Sequence, residues 1–274
     1  MINSTYKLFL QSFALLSVIL SQPFVQAVPY HAKQVPVDSF FVLSLKGKKI
    51  ITDSAIKDSL TWTPIINEWS KSNPTFQEFF IDPNSSGLNY NQPIHLFTNL
   101  QGTKNPDIII GLIATVRQQT LVDSSLHSIA ESLSVSKKPS PFPRFGNDKL
   151  PYEFGRKGRF VYFVAAIKRS TDRSPIPNDV YLDQIIENLL SKQSDNKAPV
   201  TLSKHFTKLK DISVYIDGTG LAQLADTFWP SNQWQNALPL IESMTNRSMG
   251  IYGQASKGQL KVEFKNLIRW SLDR

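Results

Sequence analysis

Residues 39–45 are apolar at nearly every position, and the run is bounded by Asp38 on one side and by Lys46, Gly47, Lys48 and Lys49 on the other. A run this short predicts a buried strand. Between residues 61 and 81 the pattern changes period: Trp62, Ile65, Ile66, Trp69, Phe76, Phe79 and Phe80 recur at helical spacing, with Pro64 and Pro74 where a first helical turn tolerates proline. Two short helices are expected there. Residues 93–98 and 107–116 read as strands separated by loop chemistry at 99–106, which predicts a hairpin.

Over residues 119–133, Val122, Leu126, Ile129 and Leu133 fall on one stripe, while Asp123, His127 and Glu131 share another face as a solvated set of ion pairs. This is an amphipathic helix. Residues 136–158 hold Pro139, Pro141, Pro143, Pro151, Gly146, Gly155 and Gly158, so a long loop or irregular hairpin is expected before a buried strand at 159–167. Asn178 caps a helix expected to reach residue 190, with Tyr181, Ile185 and Leu189 on one side and Asp179, Asp183 and Glu187 on the other. Residues 211–217 alternate as a strand leading into a helix that uses Leu221, Leu224, Ala225 and Phe228, and Pro239 marks a further short helix through Met244. The chain closes on the clearest hairpin, with Met249, Ile251, Gly253 and Ala255 before a turn at 256–258, and Leu260, Val262 and Phe264 after it as the buried face of the second strand. Hairpins mixed with strand-helix units predict an α+β fold: a mixed, largely antiparallel sheet covered by amphipathic helices. The stretch at 39–45 echoes that at 211–217, so residues 28–274 form one globular region, with 28–200 and 201–274 as a possible pair of similar subdomains.

The first 27 residues stand apart. A short segment carrying Lys7 precedes an apolar run at 8–20, then Pro23, and Val25-Gln26-Ala27 places small or β-branched residues where a signal peptidase inspects them. Cleavage after Ala27 is expected, because a membrane-spanning helix needs about 20 apolar residues and the run is shorter. The mature chain is then extracytoplasmic: periplasmic, envelope-associated or secreted. It has no cysteine, so neither a disulfide nor a lipid-modified cysteine holds it.

Several of these words, taken together, resemble a family of exported bacterial proteins, the domain of unknown function numbered 4836. They are Val35-Pro36-Val37-Asp38 leading into the first strand, the run from Asp82 to Asn89 before Pro93-Ile94-His95-Leu96-Phe97, the strand-helix passage at 108–133 and the strand at 211–217. The resemblance covers the front half of the longer family members. It implies no activity, cofactor or site residue.

Candidate chemistry is sparse. His31, His95, His127 and His205 lack ligand spacing, so no metal is expected. His95 alternates with Ile94 and Leu96, as a surface or hydrogen-bonded histidine does. Asp82, Asn84, Ser86 and Gly87 imitate half a calcium loop, but Pro93 stands where the closing Glu belongs, which leaves a turn. Asp217-Gly218-Thr219-Gly220 sits between strand and helix, the setting of an anion-binding loop, with Gln223 in place of a third glycine. No cofactor or catalytic residue is assigned.

Charge carries more information. The chain has 30 Lys and Arg against 22 Asp and Glu. Residues 137–173 contain ten of the basic residues (Lys137, Lys138, Arg144, Lys149, Arg156, Lys157, Arg159, Lys168, Arg169 and Arg173) against Asp148, Glu153 and Asp172. That excess of seven equals the whole excess of the chain without Lys7. Phe142, Phe145, Tyr152, Phe154 and Phe160 interleave with these charges; they either form part of a binding surface or anchor a solvated loop to the core. The expected function is a non-enzymatic, extracytoplasmic binding or envelope-associated protein whose basic segment contacts an anionic partner: phospholipid, lipopolysaccharide or a charged glycan. Nucleic acid and a transmembrane span are not expected. The alternative is a secreted hydrolase of polysaccharide or peptidoglycan acting through carboxylates that the sequence does not single out.

Overall fold

The computed structural model describes residues 32, 34–36, 38–47, 86–101, 107–146, 152–167, 186–187, 200–228, 247–256 and 259–268. In chain order they form β1 (Phe41–Lys46), β2 (Pro93–Gln101), β3 (Asp107–Thr115), α1 (Gln119–Ser132), β4 (Ser136–Lys137), β5 (Arg144–Gly146), β6 (Tyr152–Lys157), β7 (Phe160–Ile167), α2 (Val200–Thr207), β8 (Ile212–Asp217), α3 (Gly218–Phe228), β9 (Arg247–Ser256) and β10 (Gln259–Ile268). The strands make one ten-stranded sheet in the order β10-β9-β8-β1-β2-β3-β7-β6-β5-β4. Every pairing is antiparallel. The fold is α+β with a predominantly antiparallel sheet. The helices expected at 61–81 and 239–244 lie outside the described residues, as does most of that at 178–190.

The two strands that echo one another in sequence are neighbours. Phe41 to Leu45 of β1 pair with Ile216 to Ile212 of β8. The backbone N–H of Lys46 donates to Asp211 at 2.9 Å, and that of Asp217 donates to Phe40 at 2.7 Å. Similar patterns follow from similar surroundings, since both strands lie in the interior of one sheet and alternate between the same two faces.

Each face carries its own core. On one, Val42, Phe97, Ile109, Ile113, Tyr162, Val164 and Tyr215 cluster with Leu202 and Phe206 of α2. On the other, Ala114, Val161, Phe154 and Phe145 cluster with Val122, Leu126, Ile129 and Ala130 of α1. α1 closes as its stripe ends: Ser134 turns left-handed (φ 53) and the Val135 N–H reaches back to Ala130 at 2.9 Å, satisfying a terminal carbonyl.

Gly111 lies opposite Phe97 in the β2–β3 pairing, and a Cβ there would fall on the Phe97 ring. Phe97 is fully buried and has nowhere to withdraw. Gly111→Ala is therefore expected to destabilise the fold by about 1–3 kcal/mol, the cost of overpacking. A urea midpoint equal to or above that of the parent would show that the Phe97 ring yields.

Residues 136–158 take the irregular-hairpin alternative, as the short antiparallel strands β4 to β6. β2 continues through Asn99 to Gln101, where a loop was expected. α2 was not anticipated. A further change concerns β10, whose Val262 and Phe264, expected to be buried, are 44% and 69% exposed. β10 is the last strand of the sheet, so side chains that alternate correctly still lack a neighbour on one side.

Candidate functional site

The described cations of the basic segment divide into those held in ion pairs inside the fold and those exposed at its surface. Glu153, fully buried on β6, binds Arg144 through both carboxylate oxygens, with Nη2 at 3.0 Å from Oε2; Nζ of Lys138 lies 3.2 Å from Oε2, and the Tyr162 hydroxyl donates to Oε1 at 3.1 Å. Register explains the meeting. Tyr162, Gly155 and Arg144 follow one another across β7, β6 and β5, with Glu153 two residues along β6. Arg156 is engaged similarly: Nε and Nη2 reach Asp123 of α1 at 2.5 and 2.8 Å, and Nη1 donates to the Gly158 carbonyl at 2.9 Å. Its guanidinium lies over the Phe142 ring, and the Asp123 hydrogen bond raises its pKa above the ordinary arginine value. His127 therefore does not pair with the Asp123 carboxylate; its Nδ1 meets the Asp123 backbone carbonyl at 2.7 Å and its ring stacks edge-on to Phe145.

Lys137, Lys157 and Arg159 are exposed. Lys157 and Arg159 flank Gly158, whose φ of 56° makes the tight β6–β7 turn. The Arg159 carbonyl accepts the Val116 N–H at 2.8 Å, so exposed Arg117 emerges from β3 beside it. Three exposed cations, Arg117, Lys157 and Arg159, thus meet at one end of β3, β7 and β6. Lys137 lies on the outermost strand of the same side of the sheet. Lys149, Lys168, Arg169 and Arg173 lie outside the described residues. Of the interleaved aromatics, Phe145, Phe154 and Phe160 are buried, and so serve as anchors. Arg117 was missed because it lies twenty residues before the basic segment; its place directly after a strand end was the available signal.

A second polar group lies inside the sheet's other half. Tyr252, Ser213, Ser44 and His95 form a row across β9, β8, β1 and β2. The Ser44 hydroxyl and His95 Nδ1 are 2.8 Å apart, and both residues are buried. Above them His205 of α2 packs among Phe206, Tyr215 and Tyr252 with centroid separations of 5.5 to 5.7 Å. Burial pushes its pKa down to about 3, and neither ring nitrogen has a hydrogen-bond partner among the described residues. The Tyr252 hydroxyl is likewise unpartnered, and burial foremost, with Glu263 nearby, pushes its pKa up to about 12.

The loop at Asp217 turns its anion-binding capacity inward. Oδ2 of Asp217 accepts the Gly220 N–H at 3.1 Å and Oδ1 accepts the Ser248 hydroxyl at 3.0 Å, so the side chain itself satisfies the start of α3. Of the calcium-like turn, Ser86 and Gly87 are described: Ser86 Oγ accepts the Leu88 N–H at 3.2 Å, and Gly87 has φ 71°. Glu187 is exposed, while Asp179 and Asp183 lie outside the described residues. Among the described residues no three His, Cys, Asp or Glu are grouped to hold a metal ion, and no helix is long and apolar enough to cross a membrane.

No family model and no curated protein matches the chain. Among solved structures it is similar to TP0453. In crystal form IV the identity is 10% and the TM-score 0.45, covering 89% of this chain and 82% of that one. In crystal form III the identity is 7% and the TM-score 0.39, covering 90% and 84%.

Proposed function

We propose that this is an exported, envelope-associated binding protein that docks on an anionic surface through the cationic strand end formed by Arg117, Lys157 and Arg159, with Lys137 alongside. The observation that carries this reading is the sorting of charge. Lys138 and Arg144 pair with buried Glu153 inside the sheet and Arg156 ties β6 to Asp123 of α1, while Arg117, Lys157 and Arg159 are exposed together at one end of β3, β6 and β7. A fixed cluster of cations concentrates positive potential and attracts phosphate- or carboxylate-bearing surfaces. The leader-like residues 1–27 support an encounter outside the cytoplasm, where phospholipid headgroups, lipopolysaccharide and charged glycans supply such groups. The contacts of α1 and α2 with the two cores support a sheet covered by amphipathic helices, which leaves loops and strand ends for recognition.

The test is binding of the mature chain to phosphatidylglycerol vesicles, phosphatidylcholine vesicles and heparin across a salt series. Binding to the anionic probes is expected to weaken steeply with salt, and phosphatidylcholine is expected not to bind. Each cation near an anionic membrane contributes about 1 kcal/mol, so changing Arg117, Lys157 and Arg159 together to Gln is expected to cost about 100-fold in affinity at low salt. Changing Lys208 and Lys210, exposed beyond α2, should cost far less. Equal losses from both sets would reduce the effect to net charge and remove the proposed site.

A further inference from the structure

One face of the sheet carries an uninterrupted apolar row from β5 to β10. Phe145, Phe154, Phe163, Leu112, Leu96, Leu43, Val214, Ile251 and Phe264 are successive cross-strand neighbours from β5 to β10. The row stops at Phe264, which is 69% exposed, with Val262 beside it at 44%. Residues 261–264 are all exposed, and among the described residues β10 has a strand on one side only. An edge of ten residues with apolar side chains on one face is a template for another strand.

We infer that β10 pairs with β10 of a second copy of this chain, antiparallel and about a twofold axis through Val262. Charge selects this partner and this register. Antiparallel pairing keeps residues of one face opposite each other, so three self-registers are close in position. Centring on Glu263 sets Glu263 against itself and Lys261 against Lys265. Centring on Phe264 sets Phe264 against itself and Glu263 against Lys265, but Val262 against Asn266 and Lys261 against Leu267. Centring on Val262 sets Val262 against itself, Phe264 against position 260, and Lys261 against Glu263 of the second copy, twice by symmetry. The Val262 and Phe264 registers both match at the centre and at the first flanking pair, and only the Val262 register also keeps apolar against apolar at the second. Within one copy Lys265 already contacts Glu263 at 3.0 Å and the Tyr252 ring, whereas Lys261 makes no ion pair among the described residues. The interface is isologous and closes on itself, giving a dimer with a continuous sheet.

Sedimentation equilibrium of the full chain tests this with charge reversals at exposed positions. The parent is expected to dimerise. Lys261→Glu alone and Glu263→Lys alone each set like charges opposite at two symmetric places, and each is expected to weaken the dimer about tenfold or more. The double variant restores the pairing in reversed sense and is expected to return to within a few-fold of the parent. Val262→Pro, with circular dichroism confirming the fold, is expected to give monomer. A monomeric parent at 100-micromolar order of concentration, about the range reached by weak complexes, would overturn the inference. So would a dimer indifferent to the single reversals, or one that the double variant fails to restore.

Discussion

Glu153→Gln is expected to lower stability by about 3 kcal/mol, because removing one partner from a buried ion pair strands the opposite charge. The carboxylate is fully buried and answers Arg144, Lys138 and the Tyr162 hydroxyl together. Gln keeps the volume but supplies neither the negative charge nor a second acceptor oxygen, so two cations lose their counter-charge at once. The loss falls toward the low end of the range for such pairs, since Arg144 and Lys138 keep 14% and 11% of their side-chain surface in water and can partly rehydrate. For a chain of this size that corresponds to a midpoint lowered by about 6–12 °C in thermal unfolding. Lys137→Gln, one residue from Lys138 but exposed, should stay within about 0.5 kcal/mol of the parent. A Glu153→Gln midpoint within a degree of the parent would mean that the cluster contributes no net stability.

That contrast marks where local reading stops. The alternation at residues 107–116, 211–217 and 249–264 was legible because period two is imposed by the pleat, whatever the partner strand. The stripe Val122, Leu126, Ile129 was legible for the same reason at period 3.6. The density of cations at 137–173 was also plain, but not their division. Lys137 and Lys138 are adjacent in sequence, and only the approach of β6 decides that the second meets Glu153. Asp123 had His127 as its local partner one helical turn on, yet Arg156, distant in sequence, wins with a bidentate geometry that a helical neighbour cannot match.

Burial misled where it depends on strand order. Val262 and Phe264 alternate as well as Val214 and Ile216 do, and what separates them is a position at the end of the sheet, which is a property of the whole chain. α2 escaped notice for a different reason. Val200 and Thr201 are β-branched, and Ser203, Lys204 and His205 interrupt its apolar face, so intrinsic propensity argues weakly for helix. Its buried positions, Thr201, Leu202, His205 and Phe206, become a stripe only once a histidine is accepted as part of the interior.

That histidine supplies the largest expected response to pH. His205 is held neutral in the fold, with its pKa pushed down to about 3 by burial, whereas in the unfolded chain it titrates near 6.5. Below pH 6.5 the unfolded state therefore takes up a proton that the folded state refuses, and stability falls as pH drops. The loss continues to about pH 3, where the folded form protonates as well, and its full extent is about 4–5 kcal/mol. The rings against His205 do not change charge in this window: Phe206 is apolar, Tyr215 is a phenol, and Tyr252 is pushed up to about 12. His205→Phe keeps a planar ring of similar width and removes two unpartnered nitrogens, each a buried polar group that costs about 1–3 kcal/mol when unsatisfied. The variant is expected to be at least as stable as the parent at pH 7 and to lose markedly less stability between pH 6.5 and pH 4 in urea titrations. Carboxylates contribute the same acid loss to both proteins, so the difference between the two curves isolates the histidine. Parallel curves across that interval would show that His205 gains a proton, or a hydrogen-bond partner, without leaving its place between Tyr215 and Tyr252.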